Sequence, residues 1–163
     1  MKDVMRNVAA FVDGRNHAGD FNKVTLPEIS VQTEEFRAGG MDAPTEMDMG
    51  MAAMRVTLEG ETVPVAVKKL MGRPDIPLTL RGALIASDGE VRGATAELTG
   101  RFITDNGGDW QPGSKATSTL TFAANTYVLR VGGEEIYEID VERMVRKVGG
   151  VDQLASIRDA LGI

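Results

Sequence analysis

The chain alternates before it does anything else. In "VTLPEISVQTEEF", Ile29, Val31 and Thr33 fall on one side of an extended chain, and Glu28, Ser30, Gln32 and Glu34 on the other. Pro27 is expected at the strand's beginning, where a missing donor is tolerated. "EMDMGMAAMRVTLEG" resumes the alternation and puts Ala52, Met54, Val56 and Leu58 on a shared face. Residues 1–23 read as an extended N-terminal arm with a turn at Asp13-Gly14, and with these two runs they make one long hairpin-like element. The connection between the runs, Arg37–Met51, is rich in glycine, methionine and carboxylates.

"ETVPVAVKKLMG" changes the period. Thr62 is placed to cap a helix, Pro64 lies in its first turn and Gly72 follows its end. Val63, Val67, Leu70 and Met71 then share a helical face. Strands return from Pro77. "PLTLRGALIA" and "EVRGATAELTGRF" flank Ser87-Asp88-Gly89, and Asp-Gly favours a hairpin turn because glycine accepts positive φ. After the loop "NGGDWQPG" comes "KATSTLTFAANTYVLRV", which Gly132-Gly133 turns into "EEIYEID". The second half is thus an antiparallel meander. At the end, "VDQLASIRDALGI" spaces Val151, Leu154, Ile157 and Leu161 along one helical face, with Asp152 near its start and Gly162 at its close.

Composition narrows the class. A chain of 163 residues with 42% apolar and 26% charged positions is expected to form one domain, 1–163, with a buried core. Aromatics make up only 5% and there are 19 glycines, which leans toward a turn-rich β protein. There is no cysteine, so a disulfide framework, a thiolate zinc site and a cysteine nucleophile are excluded, and a reducing cytoplasm suits the chain. No apolar run approaches the ~20 residues that span a bilayer, and "MKDVMRNVAAFVDGRN" has no secretory h-region. Net charge is −6 and the basic residues are dispersed, which disfavours tight nucleic-acid binding.

Candidate chemistry adds little. His17 is the single histidine, so two-histidine metal sites are impossible, and a lone loop histidine is ordinarily solvated. No serine sits in a G-x-S-x-G elbow, and neither phosphate-binding glycine motif occurs. Asp42, Glu46 and Asp48 lack the ligand spacing of a calcium loop and read better as solvated or partner-facing charges. The doublets Glu34-Glu35 and Glu134-Glu135 point to opposite faces of their strands and form no acid–base pair. Trp110 either anchors an interface or packs over the end of the meander. "KATSTLTFAANT" is small and polar on both sides, which suggests a long strand with an edge to be paired by a neighbour. Methionines in an exposed connection suit an adaptable contact surface. The pattern favours an assembly subunit; a monomeric β-sandwich that binds a ligand through the same connection is the alternative.

Several segments carry a more specific likeness. "VTLPEISVQTEEFRAGGMDAP" resembles the signature region of the major tail tube proteins of P2-type contractile-tailed phages, a tube family that R-type pyocins share. "NVAAFVDGRNHAGD", "GDWQPGSKA" and "YEIDVERMVRKVGGVDQLASIRDALGI" resemble the same family, in order along the chain. The resemblance implies a mainly β fold: an antiparallel β-sandwich or barrel with a flanking helix and a short C-terminal helix, like the Hcp tube of type VI secretion. It implies no enzyme activity and no cofactor or metal. Hexameric rings would stack into a helical tube inside a contractile sheath, in contact with baseplate and tail terminator proteins. DNA would pass through the lumen without specific binding, or the tube would puncture an envelope, and the subunit itself would not insert into a membrane. Its place would be the virion tail, assembled in the host cytoplasm. By the same resemblance Arg37–Met51 is an inter-ring loop, with Arg37, Gly39, Gly40, Met41, Asp42, Glu46, Met47 and Asp48 in contact. Glu28, Ser30, Gln32 and Glu34 are expected to face the lumen, where carboxylates repel phosphates.

Overall fold

The computed structural model describes residues 2–163. The first strands are β1 (Asp3–Val12), β2 (Arg15–Asn16), β3 (Lys23–Thr25), β4 (Val31–Phe36), β5 (Thr45–Met51) and β6 (Met54–Gly60). Helix α1 (Val65–Lys68) follows, then β7 (Ile76–Ala86), β8 (Val91–Asn106), β9 (Ser118–Val131) and β10 (Glu134–Asp140). The chain closes with β11 (Val145–Val148), β12 (Val151–Asp152) and α2 (Ala155–Leu161).

The meander is the spine. β7, β8, β9 and β10 pair antiparallel in sequence order. Its turns fall where glycine supplies positive φ, +89° at Gly89 and +61° and +82° at Gly132 and Gly133. β9 is not an edge strand, as its small polar composition suggested. β8 pairs it along one side, while β6 and then β10 share the other. The composition has a different cause: Ser118, Leu120, Phe122 and Ala124 are buried, and the intervening Thr119, Thr121 and Ala123 lie on the opposite face.

Of the expected arm, residues 3–12 and 15–16 are strand and residues 17–22 turn the chain, and the first strand belongs to the main sheet. Asp3–Val12 is paired with β7, with Ala10 opposite Leu80 and Val12 opposite Leu78, and all four of these side chains are buried. Detaching the segment would strand their apolar surface in water. Burial of a leucine or valine contributes roughly 1.5–3 kcal/mol. Met1 lies outside the described residues.

A single cluster joins the whole spine. Ala10 and Val12 of β1 belong to the same core as Val56 and Leu58 of β6, which no flat sheet would allow, so the sheet curls around its contents. Phe102 and Phe122 meet edge to face at 5.0 Å near its centre. Curvature brings backbones close: a Cβ on Gly100 would lie 1.9 Å from the Ala123 carbonyl oxygen, beside the register shift at Thr99/Gly100.

The helices are shorter than their periodicity implied. α1 spans one turn, and Thr62 does not cap it; its hydroxyl donates to the Asp20 carbonyl at 3.1 Å. Val67 is buried, Leu70 and Met71 are partly so, and Val63 is exposed. At the C-terminus Val151 and Asp152 are claimed by β12, so α2 begins only at Ala155 and ends on Gly162 in the left-handed region. Its apolar stripe is real, yet Ile157 and Leu161 face solvent.

Candidate assembly interface

β4 and β5 form a two-stranded sheet outside the main one. The connection is shorter than Arg37–Met51: Thr45–Met51 is strand, so Glu46, Met47 and Asp48 belong to β5 and only residues 37–44 turn the chain. The alternation of "TEMDMGM" with β4 was the available signal. The tip is locally ordered. Met41 N–H donates to the Ala38 carbonyl at 3.2 Å, and the Arg37 guanidinium reaches the Met41 carbonyl at 3.3 Å. Positive φ falls on Gly40 (+89°) and Gly50 (+106°), not on Gly39. Asp42 is exposed at the tip.

All of β4 is exposed, as is β5 as far as Met49. Cross-strand partners share a face. One face therefore carries Thr33 with Asp48 and Glu35 with Glu46; the other carries Glu34 with Met47 and Phe36 with Thr45. Phe36, Met47 and Met49 are more than half exposed, at 53%, 52% and 59%. An isolated two-stranded hairpin with this much apolar surface in water is marginal by itself.

The predicted lumen set does not share a strand face. Gln32 and Glu34 do, but Glu28 and Ser30 precede β4. Pro27 sits in the break between β3 and β4 rather than at a strand's beginning, where its lack of an N–H helps interrupt the ladder. The half-buried Ser30 accepts the Ala52 N–H at 2.9 Å through its carbonyl and so helps fix the hairpin's root.

Asp48 is not a free carboxylate. It pairs with Arg146 of β11, and its other oxygen accepts the Gly50 N–H at 2.9 Å. The Arg146 hydrogen bond, with the Gly50 amide behind it, holds its carboxyl below the ordinary range. Sequence reasoning missed Arg146 altogether, and a basic residue followed directly by Lys147 carries no sign that it is buried.

Elsewhere the surface keeps large apolar groups. Trp110 is 82% exposed, so it does not pack over the meander. Val151, Ile157, Leu161 and Ile163 are exposed together at the C-terminal end. His17 is buried rather than solvated, with Nδ1 2.8 Å from an Asp20 carboxylate oxygen, because β2 and Phe21 enclose it. Among the described residues no group of three or more His, Cys, Asp or Glu is placed to hold a metal. The exposed apolar groups of the hairpin and of the C-terminal end offer surface for contact.

Comparison with known proteins agrees. A family model described as phage tail tube protein FII matches residues 2–162. The tail tube protein of Escherichia phage P2 is 27% identical over 160 residues, covering 94% of this chain and 93% of that protein. The major tail tube protein of Serratia phage KSP20 is 28% identical over 149 residues, covering 90% and 87%. Among solved structures, the sheath–tube complex of PVC, an extracellular contractile injection system, in its extended state has a chain of similar fold. It aligns with a TM-score of 0.58 at 17% identity, covering 76% of this chain and 88% of that one.

Proposed function

The chain belongs to the phage tail tube protein FII family and is a structural subunit of a tail tube, and we propose that its β4–β5 hairpin is the contact by which one ring holds the next. It is a virion component and not an enzyme. The observation that carries the reading is the hairpin itself, a separate sheet with Phe36, Met47 and Met49 in water. A second copy would cover those groups and supply cations for Asp42, Glu35 and Glu46, while Arg37 at the tip meets acidic groups. Gly40 lets the tip turn tightly, Gly39 adds no bulk there, and Met41 lends an adaptable apolar contact.

Six subunits close each ring, and the rings stack in a helical tube. The bore is lined by the outward face of β3, β6 and the first half of β9, which carries Thr25, Thr57, Thr119 and Thr121 among Arg55 and the Lys23–Glu59 ion pair. Hydroxyls alternate there with charges of both signs, which leaves no continuous basic track for phosphates. Such a wall lets DNA pass without specific binding. The outer surface, including α2, meets a contractile sheath, and the tube's ends meet terminator and baseplate proteins. Known tubes of this fold occur in a sheath–tube complex, which supports these partners.

The test replaces residues 38–43 by a two-residue Asn-Gly turn and follows assembly by negative-stain microscopy. Rings without stacked tubes are expected. Tubes of normal length would overturn the assignment of the hairpin.

A further inference from the structure

Arg146 is 5% exposed, a fixed positive charge in the interior. Among the described residues its one ion partner is Asp48 near the hairpin's root, and its Nε is buried without a hydrogen-bond partner there. From its main chain a second set of bonds runs the other way. The Arg146 carbonyl accepts the Gln153 N–H at 2.8 Å. The neighbouring Asp152 is bonded by the Arg158 guanidinium of α2, which also donates to the Met144 carbonyl at 2.7 Å. Hairpin, β11 and C-terminal helix are thus joined through one residue.

The hairpin also has room to move. It is outside the main sheet, its root carries a register shift, and Gly50 stands there at a φ of +106°. Beside the root lies a cavity of about 370 Å³, lined by Gly50, Met51, Met54, Ile139, Met144 and Leu154 along with Arg146. A hairpin that swings takes Asp48 with it. Arg146 cannot shed its proton and cannot remain buried unpaired, so it must follow Asp48. The β11 backbone then carries the displacement to Gln153, Asp152 and α2.

We propose that Arg146 is a strut that makes the β4–β5 hairpin and the C-terminal helix one mechanical unit, so that seating the hairpin against another copy alters the apolar face presented by α2. Arg146 is a positioning residue in this scheme. The seating step rests on the stacking contact proposed above, whereas the coupling between hairpin and helix is a property of the single subunit and is tested there.

Amide NMR on the full-length unassembled subunit tests it. Asp48→Asn removes the charge while keeping the shape. It should shift resonances across residues 145–161 as well as in the hairpin, and speed exchange in both by roughly tenfold. Coupling is reciprocal, so Arg158→Gln should in turn perturb residues 46–50. Asp152→Asn serves if that variant melts α2. Glu46→Gln, on the same hairpin face but without an ion pair, should disturb the hairpin alone. The proposal is overturned if Asp48→Asn leaves α2 unchanged while Arg158→Gln leaves the hairpin unchanged.

Discussion

Glu35 and Glu46 stand directly opposite each other across the β4–β5 hairpin, and among the described residues neither forms an ion pair. Like charges at such a position destabilise a strand pair, by the same roughly 0.2–1 kcal/mol that opposite charges contribute. Glu46→Lys should therefore tighten the hairpin of the free subunit, seen as slower amide exchange in β4 and β5. The same change should impair stacking, because the cation now comes from within. Tubes that assemble better than the parent's would mean that this face meets no basic surface.

The anchoring of α2 is sensitive to acid. Arg158 holds the Asp152 carboxyl at about 2, against an ordinary 3.8. A depressed folded value means that the link contributes fully above the unfolded carboxylate range and is lost as pH falls through about 2. Asp48 is lowered for the same kind of reason, by Arg146, and its link is lost in the same direction. An NMR titration of the Asp152 carboxyl should show its midpoint near the lower value, and Arg158→Gln should return it toward the ordinary one.

Gly100 tolerates no side chain. A Cβ there would lie 1.9 Å from the Ala123 carbonyl oxygen, which is backbone and has no room to yield. Gly100→Ala is expected to cost roughly 1–3 kcal/mol or more by overpacking, read as a lower urea midpoint. Gly93 is in the same strand with nothing within 4 Å of its Cβ position. Gly93→Ala should leave the midpoint nearly unchanged.

Trp110 separates folding from assembly. With 82% of its surface in water it contributes little to the fold of a free subunit. Trp110→Ala should shift stability by less than about 0.5 kcal/mol. Sedimentation should nevertheless show weaker self-association, since an indole covered by a neighbour is a common hot spot. Unchanged sedimentation would place Trp110 outside every contact.

Much of this was legible in local pattern. Met54, Val56 and Leu58 alternate with Arg55 and Thr57, and the burial follows that alternation because successive side chains leave a strand on opposite faces. Gly89, Gly132 and Gly133 turn the meander because positive φ is cheap only for glycine. The resemblance of "VTLPEISVQTEEFRAGGMDAP" to tail tube proteins agrees with the family match over residues 2–162.

What pattern could not decide was pairing at a distance. Period-2 alternation says which side of a strand is apolar, not which strand lies beside it, so β9 read as an edge although β8, β6 and β10 enclose it. The same limit made a sheet strand look like an arm in residues 3–12. It hid Arg146 as well, a charge that is buried only because Asp48, 98 positions earlier, comes to meet it. Strands, turns and family depend on neighbours along the chain and could be read there. Tertiary structure alone decided which charges are neutralised inside the subunit and which are left for another copy, because that depends on neighbours in space.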